Sequence, residues 1–229
     1  MKIAVIGTGM VGRNLAAGLH KAGHDVVIGT RDPQQTLART EPDAMGTPAY
    51  PQWQQAHPGV RLLPLAEAGA HGEVIVNASA GAHSLAALEA VGAANLAGKV
   101  LLDLALPLDL SQGMPPTLLV ANDDSLGEQI QRAFPDARVV KTLNTVFTDV
   151  MVDPARVPGE HTIFVAGEDP AAKDTVQRLL RDFGWPQTAI VDLGGIRAAR
   201  GVEMYSRLYF DLVAVIGNFD FNIAVVRTK

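Results

Sequence analysis

The feature that most constrains this chain is a glycine motif that directly follows its first apolar run. Residues 3–6 are short and fully apolar, which predicts a strand buried on both faces. A helix is predicted over residues 13–21, and a second strand over residues 25–28, after the helix stop at Gly23. Between the first strand and the helix stands a G-x-G-x-x-G motif, made of Gly7, Gly9 and Gly12.

Each glycine of the motif has a physical role in a strand–turn–helix unit. Gly7 permits the tight turn, Gly9 lets the backbone approach a pyrophosphate, and Gly12 lets helix and strand pack closely. Phosphates are expected at the helix N-terminus, where free N–H groups and the helix dipole favour negative charge. A glycine-rich loop alone is weak evidence, but the flanking strands and helix predict a dinucleotide site.

The residues that end the second strand bear on the choice of nucleotide. An NAD site needs an acidic residue about twenty residues past the glycines, to bind the ribose hydroxyls. Here Thr30 and Arg31 stand at that place, and a hydroxyl with a guanidinium suits a 2′-phosphate. Alternatively, Arg31 is solvated and Asp32 caps a helix begun by Pro33. We favour the first interpretation, and therefore NADP over NAD.

The alternation of strands and helices continues along the chain and predicts an α/β fold, a Rossmann-type doubly wound parallel sheet with helices on both faces. A nucleotide domain over residues 1–193 is expected, followed by a small C-terminal helix–strand subdomain over residues 194–229. Residues 41–59 form a loop or broken helix of open role. The further strands are predicted at 60–63, 73–77, 100–104, 118–121 (minor), 138–142, 161–166, 188–192 and 219–226. The further helices are predicted at 65–70, 84–91, 125–134, 170–183 and 196–217.

Ligands of such sheets bind outside the carboxyl ends of the strands. The small residues Ala78, Ser79 and Ala80 follow one strand there, and small side chains let a flat ring lie against the backbone. The alternative is that this segment is only a tight turn. His83 either hydrogen-bonds a cofactor or simply lies near the next helix start.

Leu106 and Asn144 follow two other strands and are expected at the same crevice. The chain has no G-x-S-x-G elbow and no H-E-x-x-H motif, so we name no catalytic residue and no metal ligand. A nicotinamide site without an acid–base group favours an acceptor that needs no proton relay.

Composition excludes several classes of protein. With no cysteine, the chain has no disulfide, thiolate nucleophile or cysteine-held cluster. A net charge of −5 without a basic run argues against a nucleic-acid partner. No secretory signal precedes the first predicted strand, and the apolar run at 208–216 is too short for a membrane span. We expect a soluble cytoplasmic protein whose partner is a small-molecule redox acceptor.

Several runs, taken together with the opening glycines, make the chain similar to the bacterial branch of the NADPH:deazaflavin (coenzyme F420) oxidoreductases. The resemblance covers nearly the whole chain and implies one Rossmann domain for NADP, a C-terminal element that helps to close the deazaflavin pocket, and a homodimer. It implies hydride transfer between the nicotinamide and the deazaflavin. The runs lie at residues 100–103, 113–116, 124–131, 140–145 and 221–226.

The same resemblance assigns roles to individual positions. Thr8, Gly9, Met10 and Val11 would hold the pyrophosphate, and Thr30 with Arg31 the 2′-phosphate. The segment Ala78–Ala80 with His83 would line the nicotinamide side, and Arg200 with Glu203 would begin the C-terminal helix. Two rival functions stay open: an NADPH:flavin (FMN or FAD) or ferric reductase, and a non-enzymatic NADP sensor. The helix at 196–217 is apolar on nearly all sides, which also predicts a homodimer.

Overall fold

The computed structural model of the protein describes residues 1–43 and 46–228. Within these residues, one eight-stranded sheet has the order β10-β9-β8-β5-β4-β1-β2-β3, and β6 pairs with β7 in a separate hairpin. The strands, in chain order, are β1 (Lys2–Ile6), β2 (Asp25–Thr30), β3 (Arg61–Pro64), β4 (Val74–Asn77), β5 (Val100–Asp103), β6 (Leu108–Asp109), β7 (Thr117–Leu118), β8 (Arg138–Thr142), β9 (Ile163–Ala166) and β10 (Ile190–Asp192).

Helices cover both faces of this sheet. Successive side chains of a strand point to opposite faces, so Ile3 and Val5 pack in one hydrophobic core while Ala4 and Ile6 pack in the other. The helices, in chain order, are α1 (Met10–Lys21), α2 (Pro33–Leu37), α3 (Tyr50–Ala56), α4 (Leu65–His71), α5 (Ser84–Val91), α6 (Ala93–Leu96), α7 (Leu126–Ala133), α8 (Thr148–Val152), α9 (Pro170–Asp182) and α10 (Ala199–Ile216).

Helices α1, α8 and α9 supply the first core, and α4, α5 and α7 supply the second. The predicted Rossmann-type doubly wound fold is confirmed.

One strand pair departs from the expected parallel pattern. β9 runs antiparallel to β8, with Thr142 opposite Val165, and β10 runs parallel to β9. An antiparallel strand starts at the edge where its predecessor ends, so no crossover helix is required. The short helix α8 and the turn Pro154–Arg156 are enough to make this connection.

The predicted closing strand at 219–226 is wrong, since this segment bends at Phe219 and forms no strand. Its contacts to the chain just before β9 are made largely by side chains. The Thr162 N–H donates to the Ile223 carbonyl over 2.8 Å, but the Thr162 carbonyl accepts from Asn222 Nδ2 over 2.9 Å. The Val225 N–H donates to the Thr162 hydroxyl over 3.1 Å. Side chains thus take the places that a second strand's backbone needs.

The bounds of the minor strand also need correction, while the loop or broken helix expected at 41–59 agrees with the described residues there. The minor strand expected at 118–121 is β7, which ends at Leu118 after pairing with Leu108. The segment 41–59 contains α3 in its second half, and Ala44 and Met45 lie outside the described residues. No helix within the described ranges is long and apolar enough to cross a membrane.

Candidate functional site

The strand register aligns four strand ends at one edge of the sheet. Ile6 at the end of β1 lies opposite Asn77 of β4, and Asn77 lies opposite Asp103 of β5. Asp103 in turn lies opposite Lys141 of β8. The loops that follow these four strands therefore open into one crevice, which is where open α/β sheets bind their ligands.

The glycine-rich loop is close-packed at its two outer glycines and open at the middle one. Gly7 has a φ of +130°, and a β-carbon there would lie 2.5 Å from the Ala78 carbonyl oxygen. A β-carbon on Gly12 would overlap the Gly7 carbonyl. A β-carbon on Gly9 would meet nothing within 4 Å. The fold needs the outer glycines, whereas Gly9 leaves space for a ligand.

The N-terminus of α1 suits a phosphate group. Gly9 is its N-cap, and no side chain caps it. Among the described residues, the first amide of this terminus with a backbone acceptor is that of Arg13, which donates to the Gly9 carbonyl over 3.0 Å. The preceding amides, in a segment that includes Met10 and Val11, are free for an anion. These amides and the open space above Gly9 are suited to an anionic group.

Arg13 is a residue of this site that the sequence interpretation missed. Its Nε donates to the Thr8 carbonyl over 2.7 Å, and its Nη1 donates to the Pro48 carbonyl. Its guanidinium lies 5.3 Å from the centroid of the Tyr50 ring. Burial lowers the pKa of Arg13, against the opposing effects of Asp43 and Tyr50. The available signal was a charged residue among the buried, mostly apolar positions of α1.

A cavity of about 570 Å³ opens beside Arg13 and its contacts. It extends from the glycine-rich loop to the segment that follows α2. Thr36 lies on its wall, and the Thr36 hydroxyl oxygen is 2.9 Å from the Thr30 hydroxyl oxygen. Arg31 is exposed, and Asp32 accepts from the Gln35 N–H over 2.9 Å as the N-cap of α2. Lining residues include Thr8, Gly9, Arg13, Thr36, Arg39 and Tyr50.

The loop after β4 lies beside the glycine-rich loop, because Ala78 contacts Gly7 as described above. Ser79 is half-buried, while Ala80 and His83 are exposed. The other side of this loop touches the loop after β5, where a β-carbon on Gly81 would overlap the Leu106 carbonyl. The structure therefore brings Ala78, Ser79 and Leu106 to the same crevice as the glycines.

Asn144 is buried and turned toward the C-terminal helix. Its Nδ2 donates to the Val202 carbonyl of α10 over 2.8 Å. The preceding residue, Leu143, has a φ of +64°, a conformation that few non-glycine residues adopt. Asn144 thus fixes α10 to the end of β8, and its amide nitrogen is already engaged.

A row of buried polar side chains crosses the sheet beneath the crevice, and we call it the buried polar row. Its members are Asn77, Asp103, Lys141 and Glu203, each at most 1% exposed. Lys141 Nζ lies 2.9 Å from Asp103 Oδ2 and 2.8 Å from Glu203 Oε1, and it also donates to the Ala105 carbonyl. All three of its donors are used. Burial opposes the charge, but the two carboxylates outweigh it and raise the pKa of Lys141.

Glu203 also joins α10 to α7. Its carboxylate accepts from the Leu126 and Gly127 N–H groups over 2.8 and 3.0 Å, so it caps α7 from another helix. Arg200 lies one turn earlier and forms two bonds to Glu128, of 2.8 and 2.7 Å. The placement of Arg200 and Glu203 at the start of the C-terminal helix is confirmed.

Comparison with known proteins places this chain among nicotinamide-dependent reductases. The family described as NADP oxidoreductase coenzyme F420-dependent matches residues 2–107. A crystal structure from Arthrobacter sp. FB24, named for an F420-dependent NADP reductase, is 52% identical and superposes with a TM-score of 0.93. That match covers 99% of this chain and 100% of the other.

Two curated relatives are more distant. The F420-dependent NADP reductase of Methanothermobacter marburgensis is 27% identical over 93% of this chain and 92% of its own length. Metalloreductase STEAP3 of Rattus norvegicus is 28% identical over 88% of this chain, which spans only 36% of that protein. With a Rossmann-type sheet, an open glycine-rich loop and a relative that is half identical along its entire length, the chain belongs to the F420-dependent NADP oxidoreductase family and is an NADP-dependent oxidoreductase.

Proposed function

We propose that this enzyme transfers a hydride between NADP(H) and a deazaflavin of the F420 type. The observation that carries the proposal is the single crevice formed by the open N-terminus of α1 and the small-residue loop after β4. The names of the Arthrobacter and Methanothermobacter relatives support the choice of acceptor.

The residues proposed to hold NADP follow from this crevice. The glycine-rich loop, Gly7 to Gly12, would bind the pyrophosphate through its backbone, and Thr30 with Arg31 would bind the 2′-phosphate. Ala78, Ser79, Ala80 and His83 would border the nicotinamide. Leu106 would border the acceptor, and Asn144 would act on the acceptor side through its bond to the Val202 carbonyl of α10. Support comes from two contacts between these loops, Ala78 against Gly7 and Leu106 against Gly81.

The protein's contribution to this chemistry is positioning. The nicotinamide supplies a hydride donor or acceptor when NADP is bound. The buried lysine of the polar row, Lys141, has its three donors engaged by Asp103, Glu203 and the Ala105 carbonyl, so it is not available as a general acid. We therefore assign no obligatory acid or base, and the chain's task is to hold two rings in contact and exclude water.

The C-terminal element, residues 194–229, is proposed to close the acceptor pocket and to form a homodimer. Its helix α10 leaves Leu208, Val215 and Ile216 exposed by 53%, 86% and 45%. Large apolar side chains clustered on one helix are typical of a protein interface. The tail beyond α10 packs back on its own chain, where Phe221 stacks on Tyr209.

The similarity to STEAP3 favours a second candidate, in which NADPH reduces a flavin or a ferric chelate. The two are separated by mixing purified protein and NADPH with a deazaflavin, FMN, FAD or ferric citrate and following the loss of NADPH absorbance. The proposal expects the highest kcat/KM with the deazaflavin. A higher value with a flavin or ferric citrate would establish the second candidate.

A further inference from the structure

The buried polar row joins two parts of the molecule that are far apart in the chain. Its near end is the loop after β4, and its far end is Glu203 on α10. Three of its members are neighbours on adjacent strands, since Asn77 lies opposite Asp103 and Asp103 opposite Lys141. The side chains continue this line, with Asn77 Nδ2 donating to Asp103 Oδ1 over 2.8 Å.

At the near end, Asn77 forms hydrogen bonds with both ends of the loop after β4. The Ser79 hydroxyl donates to Asn77 Oδ1 over 2.6 Å, and Asn77 Nδ2 donates to Ser84 Oγ over 3.2 Å. The hydroxyls of Ser79 and Ser84 lie 2.9 Å apart. The loop from 79 to 84 is therefore closed on itself through a side chain whose orientation is set by Asp103.

At the far end, Glu203 is fixed on both of its oxygens by the first amides of α7, as well as by Lys141. Two ion pairs link the rest of the row: Lys141 lies 2.9 Å from Asp103 and 2.8 Å from Glu203, and all three side chains have essentially no solvent access. Buried ion pairs are weak evidence for stability, because desolvation offsets much of their attraction. Their strict geometry can instead fix the relative placement of the groups they join.

We propose that Asp103, Lys141 and Glu203 are positioning residues, which hold the 79–84 loop at a fixed place relative to α10 so that the donor and acceptor rings meet in register. The inference rests on the proposed function, because that function places the nicotinamide on this loop and the acceptor beside α10. The three side chains are at most 1% exposed, so they would act on the rings through the loop and α10 and not by contact.

The test compares two variants that each remove one link between α10 and α7. Glu203→Gln removes the charge and one acceptor oxygen from the far end of the buried polar row, while Arg200→Met breaks the Arg200–Glu128 pair on the same two helices without touching the row. The first readout is amide hydrogen exchange of peptides that cover residues 78–84, in protein without nucleotide. Loss of a charged hydrogen bond corresponds to roughly tenfold or more in an opening equilibrium. We expect exchange there to rise about tenfold in Glu203→Gln and to stay unchanged in Arg200→Met.

The second readout separates ring placement from nucleotide binding. In Glu203→Gln we expect kcat to fall about tenfold or more, as small misplacements of reacting groups can do. The Kd for NADPH should stay within about twofold, because the charged contacts of the glycine-rich loop and Arg31 are untouched. Equal exchange in the two variants, or equal loss of kcat and NADPH affinity, would overturn the proposal.

If Glu203→Gln does not fold, Asp103→Asn cuts the same row one step nearer the loop and takes its place against the same control. Failure of the wild-type protein to reduce any acceptor would count against the proposed function alone. The exchange comparison would still decide whether the row holds the loop.

Discussion

Arg13 Nε lies 2.7 Å from the Thr8 carbonyl oxygen, so a side chain of α1 closes back on the loop that precedes it. The same guanidinium reaches Pro48 and the Tyr50 ring, which attaches the segment after α2 to the glycine-rich loop. Since the partners described for Arg13 are Thr8, Pro48 and Tyr50, and not the residues proposed for the 2′-phosphate, Arg13→Leu should weaken NADPH and NADH equally. Charged hydrogen bonds of this kind are worth about 1.5–3 kcal/mol, so a loss near tenfold is expected in each Kd. Fluorescence titration with both nucleotides measures it, and a loss confined to NADPH would contradict it.

Arg31→Ala is the matched comparison, in which only NADPH binding should be weakened. Arg31 is exposed and follows Thr30 at the end of β2, so we expect it to serve the 2′-phosphate alone. Removing one charged hydrogen-bond donor should weaken NADPH roughly ten- to a hundredfold and leave NADH nearly unchanged. The same titration serves, and equal weakening of both nucleotides would show that Arg31 lies elsewhere.

The homodimer prediction can be tested on the exposed face of α10. Light scattering at micromolar concentration should give twice the 24.2 kDa mass of one chain. Val215→Glu places a charge on a side chain that is 86% exposed in the single chain, so it should yield monomer if that face is buried in a dimer. Leu193→Glu, at another exposed apolar side chain outside α10, is the control and should leave the dimer intact. A monomeric wild-type protein at this concentration would contradict the homodimer prediction.

Asn144→Ala should slow turnover less than the roughly 10²–10⁴-fold typical of losing a general acid or base. The structure shows why, since Asn144 Nδ2 is bonded to the Val202 carbonyl and acts on the position of α10. Steady-state kinetics over a range of pH measure the effect. A drop beyond this range, with loss of an ionisation from the pH profile, would mean that the residue takes part in proton transfer.

The fate of the hydride identifies the acceptor. Deuterium carried on the reactive nicotinamide carbon should be retained on carbon when a deazaflavin receives it, and mass spectrometry of the product detects it. On a flavin the label would land on nitrogen and exchange into water. Washed-out label with the best acceptor would favour the flavin reductase alternative.

The core of the fold could be predicted from the sequence because its signals are local. The apolar runs that became β1, β4, β5 and β8, and the glycines between β1 and α1, each carry their own pattern. The direction of β9 could not be predicted, since it depends on where the chain re-enters the sheet after α8. A strand was predicted for the tail after α10 because its residues favour one. In the structure the Asn222 side chain and the Thr162 hydroxyl form hydrogen bonds in place of the backbone groups of a strand pair.

The candidate site divides in the same way. The glycine-rich loop and the loop after β4 were predicted because they lie directly after strands. The buried polar row was missed because Asn77, Asp103, Lys141 and Glu203 become neighbours only through strand order and the docking of α10. A lysine inside an apolar strand was visible in the sequence at 141, but not the two carboxylates that surround it.

The empty space above Gly9 separates folding from ligand binding within a single motif. Gly9 has a φ of −74° and a ψ of −179°, which every residue type can adopt, and its β-carbon would meet no atom of the protein. A side chain there would occupy only the space in which we propose that the pyrophosphate binds. Gly9→Val should therefore give a protein that folds but does not bind the nucleotide. Such a variant would separate any cellular role that needs only the folded protein from its oxidoreductase activity.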